Sequence, residues 1–508
     1  MRWSRGEGRR SYLGRSRLAP ERATRKRSEK SAEVVVVGDD EGPNEEESET
    51  VVSLGGKGPQ MSRQLELPLE SRGEAQAVER SEEAPTATHG NERSGTSGLM
   101  ELVCERQNLQ AALRRVRKNK GSPGIDGMTV DELPDHLRAH WSELREHLLS
   151  GAYQPSMVKE QLIPKSDGGV RKLGIPTVLD RFIQQALLQV LQPRFDPGFS
   201  QHSHGFRPGR RAHDAIVEAQ RYIQEGRRVV VDVDLEKFFD RVNHDVLMGK
   251  LAKRIEDRRV LRLIRRYLEA GTLAEGVAAE RHEGTPQGGP LSPLLANVLL
   301  DEVDKELEKR GHAFVRYADD CNVYVRSRRA GERVMELLRR LYAKLRLRIN
   351  ESKSAVDAAT NRKILGYSFW NGPGKMVKRR VAKKALGKMK EQVRFITRRT
   401  CGRSVEQTAA MLRSYLLGWK QYFRLADTPG IFAELDEWIR HRLRAMHLKQ
   451  WKRGTTIYRE LRARGLSERG AAKVAVNSRR WWRNSAFLIN VALPISYFDR
   501  LGVPRLAS

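Results

Sequence analysis

Two adjacent aspartates between strand-like segments constrain this sequence more than any other feature. The run from Phe314 to Arg326 is rich in β-branched and aromatic residues on both sides of Ala318-Asp319-Asp320, a composition that favours two strands joined by a tight turn. Neighbouring carboxylates at a turn repel each other and gain little from packing. A divalent cation would give them a use, because Mg²⁺ takes a few protein oxygens and shares the rest with phosphates. For this motif alone, an ordinary Asp-containing turn is the alternative.

A second acidic strand lies upstream. The run Val229–Val233 is apolar except for Asp232, and Asp234 comes two residues after that aspartate, so both carboxylates share one face of a strand. A buried strand does not carry carboxylates unless they are paired, protonated or bound to metal. Together the two stretches supply enough carboxylates for two Mg²⁺ ions about 3.5–4 Å apart, the arrangement used for in-line phosphoryl transfer.

Composition narrows the class of partner. The chain has 508 residues, room for several domains, and a net charge of +30, which makes nucleic acid the first candidate partner. The three cysteines, Cys104, Cys321 and Cys401, form no Cys-x-x-Cys pair. Neither a zinc site nor a disulfide framework is therefore predicted, and a reducing compartment is expected. No apolar run approaches the length of a membrane span and no secretory signal is visible, so no membrane partner is expected.

Three motifs follow one another along the chain: Asp234-Leu-Glu-Lys-Phe-Phe-Asp240, then Gly284-Thr-Pro-Gln-Gly-Gly-Pro-Leu-Ser-Pro-Leu-Leu-Ala-Asn297, then Tyr317-Ala-Asp-Asp320. In this order they resemble consecutive motifs of reverse transcriptases, and they are most similar to the proteins encoded by bacterial group II introns. The resemblance runs from about Leu99 to the C-terminus. It implies an α+β fold, a right-hand polymerase with fingers and palm, followed by a helical thumb called domain X.

The resemblance also implies a set of metal-binding and catalytic residues. Asp234, Asp319 and Asp320 match the aspartates that hold two Mg²⁺ ions, and the backbone carbonyl of Leu235 would be a further ligand. Lys353 matches a lysine near the leaving pyrophosphate and is a candidate proton donor. Asp232 falls outside the matched motif position and is left out of the metal set.

A hairpin is predicted from Gln161 to Pro176, with Ser-Asp-Gly-Gly as its turn. It could place Lys165 and Arg171 on opposing strands, and two converging cations suit a triphosphate. The family's fingers hairpin places such residues against the incoming nucleotide. Exposed edge charges that block aggregation are the alternative for both side chains.

Other positions match the family's contacts to nucleotide and primer. Phe239 matches the position beneath the nucleotide sugar, where a bulky ring would exclude a ribose 2′-hydroxyl; core packing is the alternative. Gln287 matches a contact to the templating base pair and the incoming nucleotide. Leu365 and Gly366 match the turn that holds the primer end.

Aromatic and basic residues alternate from Thr408 to Phe423. Aromatic faces can stack on bases while Arg and Lys meet phosphates, and the stretch resembles domain X, which binds intron RNA. This assigns RNA contacts to four side chains: Arg413, Trp419, Lys420 and Tyr422. A helical bundle with a core of Trp and Tyr is the alternative for many of these aromatic residues.

The domain organisation follows from composition and the resemblance. We expect a disordered extension and linker over 1–98, an N-terminal extension and fingers over 99–228, a palm over 229–372, a thumb over 373–450 and a basic nucleic-acid-binding region over 451–508. Translation is expected to start at Met61, although the basic, Ser-rich beginning could also be an organellar transit peptide. With no paired cysteines after Cys401, the chain resembles the endonuclease-lacking members.

The predicted function is RNA-directed DNA polymerisation by a group II intron protein that also binds its intron RNA to assist splicing and mobility. Its partners would be intron RNA, primer and template, target DNA and dNTPs, in a bacterial cytoplasm. Two alternatives remain: a splicing maturase that has lost polymerisation, and an RNA-dependent RNA polymerase on the same palm, since palms host several polymerases.

Overall fold

The computed structural model describes residues 98–164, 170–274, 277–400, 402–486 and 488–507. The predicted extension and linker, apart from Gly98, and the predicted turn of the 161–176 hairpin lie outside the described residues, as does Lys165. In the part that is described, no helix is long and apolar enough to cross a membrane.

The first described region contains helices and the fingers hairpin. Its elements are α1 (Leu99–Val103), α2 (Arg106–Lys118), α3 (Leu133–Ser150), β1 (Val158–Pro164), β2 (Val170–Ile175), α4 (Val178–Phe195) and α5 (Ala212–Gln224), with a 3₁₀ turn at Asp196–Gly198. Strands β1 and β2 are antiparallel, from Lys159 opposite Ile175 to Pro164 opposite Val170. The predicted hairpin is therefore present.

The palm follows. Its elements are β3 (Val229–Val233), a 3₁₀ turn at Phe238–Asp240, α6 (His244–Leu251), α7 (Arg258–Glu269), β4 (Thr272–Ala274), β5 (Val277–Ala279), α8 (Ser292–Lys309), β6 (Ala313–Tyr317), β7 (Asp320–Val325), α9 (Arg328–Lys344), β8 (Ala355–Ala358), β9 (Lys363–Ile364) and β10 (Tyr367–Asn371). The palm sheet has the order β6-β7-β3-β8 and is antiparallel throughout. Strands β4 and β5 extend the fingers sheet in the order β2-β1-β4-β5.

The last region is almost entirely helical. Its elements are a 3₁₀ turn at Pro373–Lys375, β11 (Val377–Val381), α10 (Lys383–Ile396), α11 (Val405–Tyr422), α12 (Pro429–Trp451), α13 (Gly454–Ala463), α14 (Glu468–Val476), α15 (Trp481–Asn484), α16 (Ile489–Ala492) and α17 (Ile495–Arg500). A three-stranded sheet of order β11-β10-β9 joins this region to the palm. The predicted α+β class, with strands in fingers and palm and a helical region after them, is confirmed.

The palm sheet separates two hydrophobic cores because successive strand residues point to opposite faces. Val231 and Val233 belong to the core shared with the N-terminal helices, α8 and α9, whereas Val230 belongs to the core shared with α5 and the C-terminal helices. Asp232 and Asp234 lie two and four residues after Val230, so their side chains point to the same face of the sheet as that of Val230. The carboxylates therefore lie on the face that turns toward the C-terminal helices.

Two helix boundaries have clear local causes. The chain from Leu99 to Lys118 is divided between α1 and α2, and Asn108 Nδ2 donates to Val103 O at 3.0 Å, which satisfies a carbonyl at the break. Helix α8 begins at Ser292. The segment before it cannot be helical because Gly288 has φ +139°, and a Cβ there would lie 2.4 Å from Gly174 O.

Trp419 of α11 lies in the core of the helical region. Its indole is 9 % exposed and packs against Phe423 and Phe432, with ring centroids 4.7 and 5.7 Å away. Leu417, two residues earlier on the same helix, is 46 % exposed. The ring of Trp419 has almost no free face for a base, so this structure does not favour its predicted contact with RNA.

We expect Trp419→Ala to lower the free energy of unfolding by about 3–5 kcal/mol, because it removes a buried aromatic ring and leaves a cavity. Leu417→Ala is the matched control and should change stability by at most about 0.5 kcal/mol. Chemical denaturation of the two variants measures both. Equal, small effects would place the Trp419 ring at the surface.

Candidate active site

The turn that carries the paired aspartates has only two residues. Strands β6 and β7 remain in register up to Tyr317 opposite Asp320, so Ala318 and Asp319 alone connect them. Ala318 has φ +56°, a left-handed conformation that is unusual for a residue with a Cβ and that must be imposed by its surroundings. Asp319 and Asp320 therefore sit at the tip of a palm hairpin, as predicted.

Asp234 reaches the same place from the neighbouring strand. Strand β3 pairs with β7 up to Val233 opposite Cys321, and one further step in this register places Asp234 opposite Asp320. Adjacent strands lie about 4.8 Å apart. The backbone of Asp234 is also held from the other side, because Asn350 N donates to its carbonyl at 2.9 Å and its own N–H donates to Ser354 Oγ at 3.0 Å.

The electrostatics of this corner are those of crowded negative charge. Burial, together with the nearby charges of Asp319, Asp234 and Asp232, raises the pKa of Asp320 to about 7. The charge of Asp232 is neutralised within the protein by an ion pair of 2.7 Å with the Arg362 guanidinium. This pair gives a physical reason to leave Asp232 out of the metal set.

The carboxylates fit a divalent cation only in part. Among the described residues, no three His, Cys, Asp or Glu side chains are grouped closely enough to hold a metal ion by themselves. The predicted cage of Asp234, Asp319 and Asp320 is therefore not preformed. The mutual repulsion that raises the pKa of Asp320 is what a cation between these groups would relieve. Backbone and phosphate oxygens would complete its shell, as Mg²⁺ commonly requires.

Several other predicted site residues border this corner. Lys353 Nζ lies 3.9 Å from Asp234 Oδ2, and Leu235, the predicted carbonyl ligand, follows Asp234 directly. The ring of Phe239 is half-buried, and its carbonyl accepts from Thr285 N at 2.7 Å. Gln287 is tied to the fingers, since its carbonyl accepts from Gly174 N at 2.9 Å.

The primer-binding prediction falls on a second two-residue turn. Strands β9 and β10 pair with Ile364 opposite Tyr367, which leaves Leu365 and Gly366 between them at φ +48° and +81°. Tyr422 Oη donates to Leu365 O at 2.9 Å, so the turn is held by α11. The structure thus gives Tyr422, predicted to contact RNA, a role in supporting this turn.

The remaining predicted contacts are only partly described. Arg171 lies in β2 opposite Ile163, but its side chain, like the whole of Lys165, is outside the description. Arg413 is exposed on α11. Lys420 Nζ donates to Arg505 O at 2.9 Å, so this lysine is engaged within the protein.

A buried ion pair beneath the turn was not predicted. Arg316 and Asp304 are both fully buried, and the guanidinium contacts the carboxylate through Nε at 2.8 Å and Nη2 at 2.6 Å. Arg316 Nη1 also donates to Ala318 O and to Asn297 Oδ1, both at 2.9 Å. The guanidinium therefore connects α8 to the turn that carries the aspartates. The signal that could have revealed it is an arginine inside an otherwise apolar strand.

Gly205 packs against the other side of the same turn. Asn297 Nδ2 donates to Gly205 O at 2.9 Å, and a Cβ at Gly205 would lie 2.2 Å from Ala318 N. Only a glycine therefore allows the Gly205–Arg210 loop to lie against the turn. The loop is held in place by His202 and His204, whose rings contact Glu218 of α5 at 2.5 and 2.7 Å.

Comparison with known protein families agrees with this geometry. Residues 163–369 match the model of reverse transcriptase (RNA-dependent DNA polymerase), and residues 386–465 match the group II intron, maturase-specific domain. The fold and the strand-end aspartates thus define a polymerase palm of the reverse transcriptase class. With a reverse transcriptase region followed by a maturase-specific region, the chain is similar to proteins encoded by group II introns.

Individual relatives are similar over part of their length. Protein YkfC of Escherichia coli is 38 % identical over 218 residues, which cover 42 % of this chain and 57 % of that protein. The group II intron-encoded protein LtrA of Lactococcus lactis is 36 % identical over 195 residues, or 38 % of this chain and 32 % of LtrA. The putative COX1/OXI3 intron 1 protein of Saccharomyces cerevisiae is 30 % identical over 219 residues, or 43 % and 26 %. The chain therefore matches less than two thirds of each.

We expect Asp304→Asn to destabilise the protein by about 3–5 kcal/mol, because it leaves the Arg316 guanidinium buried without a full counter-charge. Asp131→Asn is the control, since the Asp131 side chain is 85 % exposed and the same change there should be nearly neutral. Thermal or chemical unfolding measures the difference. Similar stability of the two variants would contradict a supporting role for the pair.

Proposed function

We propose that the chain is an RNA-directed DNA polymerase that uses two Mg²⁺ ions and also binds group II intron RNA to assist splicing and mobility. The observation that carries the polymerase assignment is the convergence of Asp234 with Asp319 and Asp320 at the ends of adjacent antiparallel strands. Substrates would be dNTPs and a primer on an RNA template; partners would be the intron RNA and target DNA.

Each acidic residue has a proposed role in nucleotidyl transfer. Asp234, Asp319 and Asp320, with the Leu235 carbonyl, would hold the two Mg²⁺ ions. When bound, such ions lower the pKa of a primer 3′-hydroxyl and offset charge on the triphosphate. Lys353, whose Nζ lies 3.9 Å from Asp234 Oδ2, would give a proton to the leaving group.

Nucleotide selection would come from residues around the acids. We assign Lys165 and Arg171 of the fingers hairpin to binding of the triphosphate, where the ammonium and guanidinium groups would stabilise the negative charge that develops on the phosphates. The half-buried ring of Phe239 would exclude a ribose 2′-hydroxyl. Gln287 would contact the templating pair, and the Leu365–Gly366 turn would hold the primer end.

The helical region supports RNA binding through paired cations and indoles. Arg394 and Arg442 lie over the Trp438 ring, with centroid distances of 5.6 and 5.4 Å. Lys449 lies over Trp481 at 4.1 Å. Such clustering of cations and aromatic rings suits a polynucleotide, because cations bind phosphates and aromatic rings stack on bases. Arg413 would add to this surface as an exposed cation.

One observation favours the alternative of a splicing maturase without polymerase activity. In the described part of the chain, the acids do not form a closed metal-binding group, so binding of intron RNA could be the only function that remains. Intact Asp234, Asp319 and Asp320 weigh against such a loss.

Primer extension decides between the two. With Mg²⁺, an RNA template and dNTPs, we expect extension by the parent chain and a loss of about 10²–10³-fold or more in Asp319→Ala and Asp320→Ala, because charge stabilisation at the reacting phosphate is removed. Asp131→Ala is the matched control and should retain extension.

Two further measurements complete this test. Both aspartate variants should bind RNA with nearly parental affinity, because the cation–indole contacts at Trp438 and Trp481 lie on the C-terminal helices and not on the strands that carry the carboxylates. Replacing dNTPs by NTPs should abolish extension by the parent chain. Extension by either aspartate variant at the parental rate, or equal use of NTPs, would contradict the assignment.

A further inference from the structure

A basic concavity lies at the end of the palm hairpin that is remote from the aspartates. It has a volume of about 610 Å³, and five arginines line it: Arg227, Arg310, Arg326, Arg333 and Arg340. Its floor is formed by Ala313, Tyr324 and Val325, at the ends of β6 and β7 that are remote from the turn. We call it the distal arginine pocket.

The charges in this pocket are unbalanced. Arg227 is paired with Glu225 and Arg310 with Glu306. Glu336, the acid among the lining residues, contacts Arg339 outside the pocket at 3.4 Å. This leaves the pocket without an acid of its own to offset the remaining arginines.

Three of the arginines lack a protein anion. Within the described residues, Arg326, Arg333 and Arg340 make no ion pair with a carboxylate, and all three side chains are exposed. Arginines gathered around one concavity repel each other, and a fold that places them there gains nothing from packing their charges. An anionic ligand would supply the missing counter-charge, and phosphate is the group that the planar guanidinium fork matches best.

The spacing of the cations indicates an extended ligand. Arg333 and Arg340 are seven residues apart on α9, which places them on one face of the helix at about 10 Å along its axis. Arg326 continues this row at the end of β7. A small anion would bind in an enclosed pocket with buried donors, whereas this row lies at a solvent-exposed rim. A backbone with successive phosphates meets all three arginines at once.

The pocket is separate from the proposed catalytic corner. Strand β6 runs from Ala313 in the pocket floor to Tyr317 at the turn, a distance of roughly 13 Å for four steps along a strand. The hairpin itself lies between the two places. A nucleic acid in the pocket would therefore not occupy the position of a primer end beside Asp319.

We propose that the distal arginine pocket binds the phosphate backbone of structured RNA, separately from the strand being copied. The inference deepens the proposed function, and it rests on that function only for the choice of RNA as the nucleic acid. A protein that copies RNA while it holds a second segment would use such a site to keep the RNA attached between rounds of synthesis.

The test compares two triple variants of the full chain. Arg326→Gln, Arg333→Gln and Arg340→Gln together remove the row. Arg115→Gln, Lys253→Gln and Arg258→Gln remove the same number of exposed positive charges outside the pocket and serve as the matched control. The probe is a long-stem RNA hairpin, whose dissociation constant is measured over a range of salt concentrations.

We expect the pocket variant to raise the dissociation constant by at least about tenfold and to reduce the slope of log K against log salt by roughly 2–3, since each of the three lost phosphate contacts removes about 0.7–0.9 of a counterion. The control should change both quantities much less. Equal losses in the two variants, or no loss in either, would overturn the proposal, because they would reflect net charge alone.

Two further arms separate the remaining possibilities. Extension of a short primer on a short RNA template should stay within about twofold of the parent chain in the pocket variant; extension lost in the parent as well would count against the proposed polymerase and not against the pocket. Inorganic phosphate and a mononucleotide serve as competitors. One result would contradict RNA binding in the pocket and identify a small-anion site instead. In that case either competitor would protect the parent chain, but not the pocket variant, against thermal unfolding, and neither would change the affinity for RNA.

Discussion

The ion pair between Arg316 and Asp304 is the interaction on which the catalytic corner depends. Two charges removed from water cost several kcal/mol unless every donor and acceptor is used, and here the guanidinium uses its remaining hydrogens on Asn297 and on Ala318 O. The left-handed Ala318 and the two-residue turn are therefore held from below. With Gly205 against the same backbone, the turn has little freedom to move away from β3.

A firmly held turn explains how like charges can be kept together. Asp320 and Asp234 lie at the ends of neighbouring strands. Burial raises the pKa of Asp320, and repulsion by the charges of Asp319 and Asp234 contributes to the increase. Asp232 avoids this conflict through Arg362. The protein thus neutralises the acid that belongs to the strand interior, and under the proposed function the strand-end acids would hold cations that in turn contact the phosphates.

The sequence predicted the backbone of the site better than its side-chain contacts. Strand-like composition and turn residues located the fingers hairpin and the turn at Ala318-Asp319, because these depend on local chemistry, whereas the turn at Leu365-Gly366 was expected from the family resemblance. The support by Arg316 could not be predicted, since its partner lies on another element and pairs only after folding. The burial of Trp419, which was assigned to RNA, could not be predicted for a similar reason. An aromatic residue suits a core and an RNA-binding surface equally until its neighbours are known.

The proposed function requires that Asp234 and the Asp319-Asp320 pair, far apart in sequence, share a divalent cation. Replacing Mg²⁺ by Fe²⁺ and generating hydroxyl radicals at the bound ion cleaves the chain beside its ligands. We expect cleavage at two places, around Asp234 and around Ala318–Asp320, with both cuts suppressed by added Mg²⁺. Cleavage at only one of these places, or cuts that Mg²⁺ does not suppress, would contradict a shared cation.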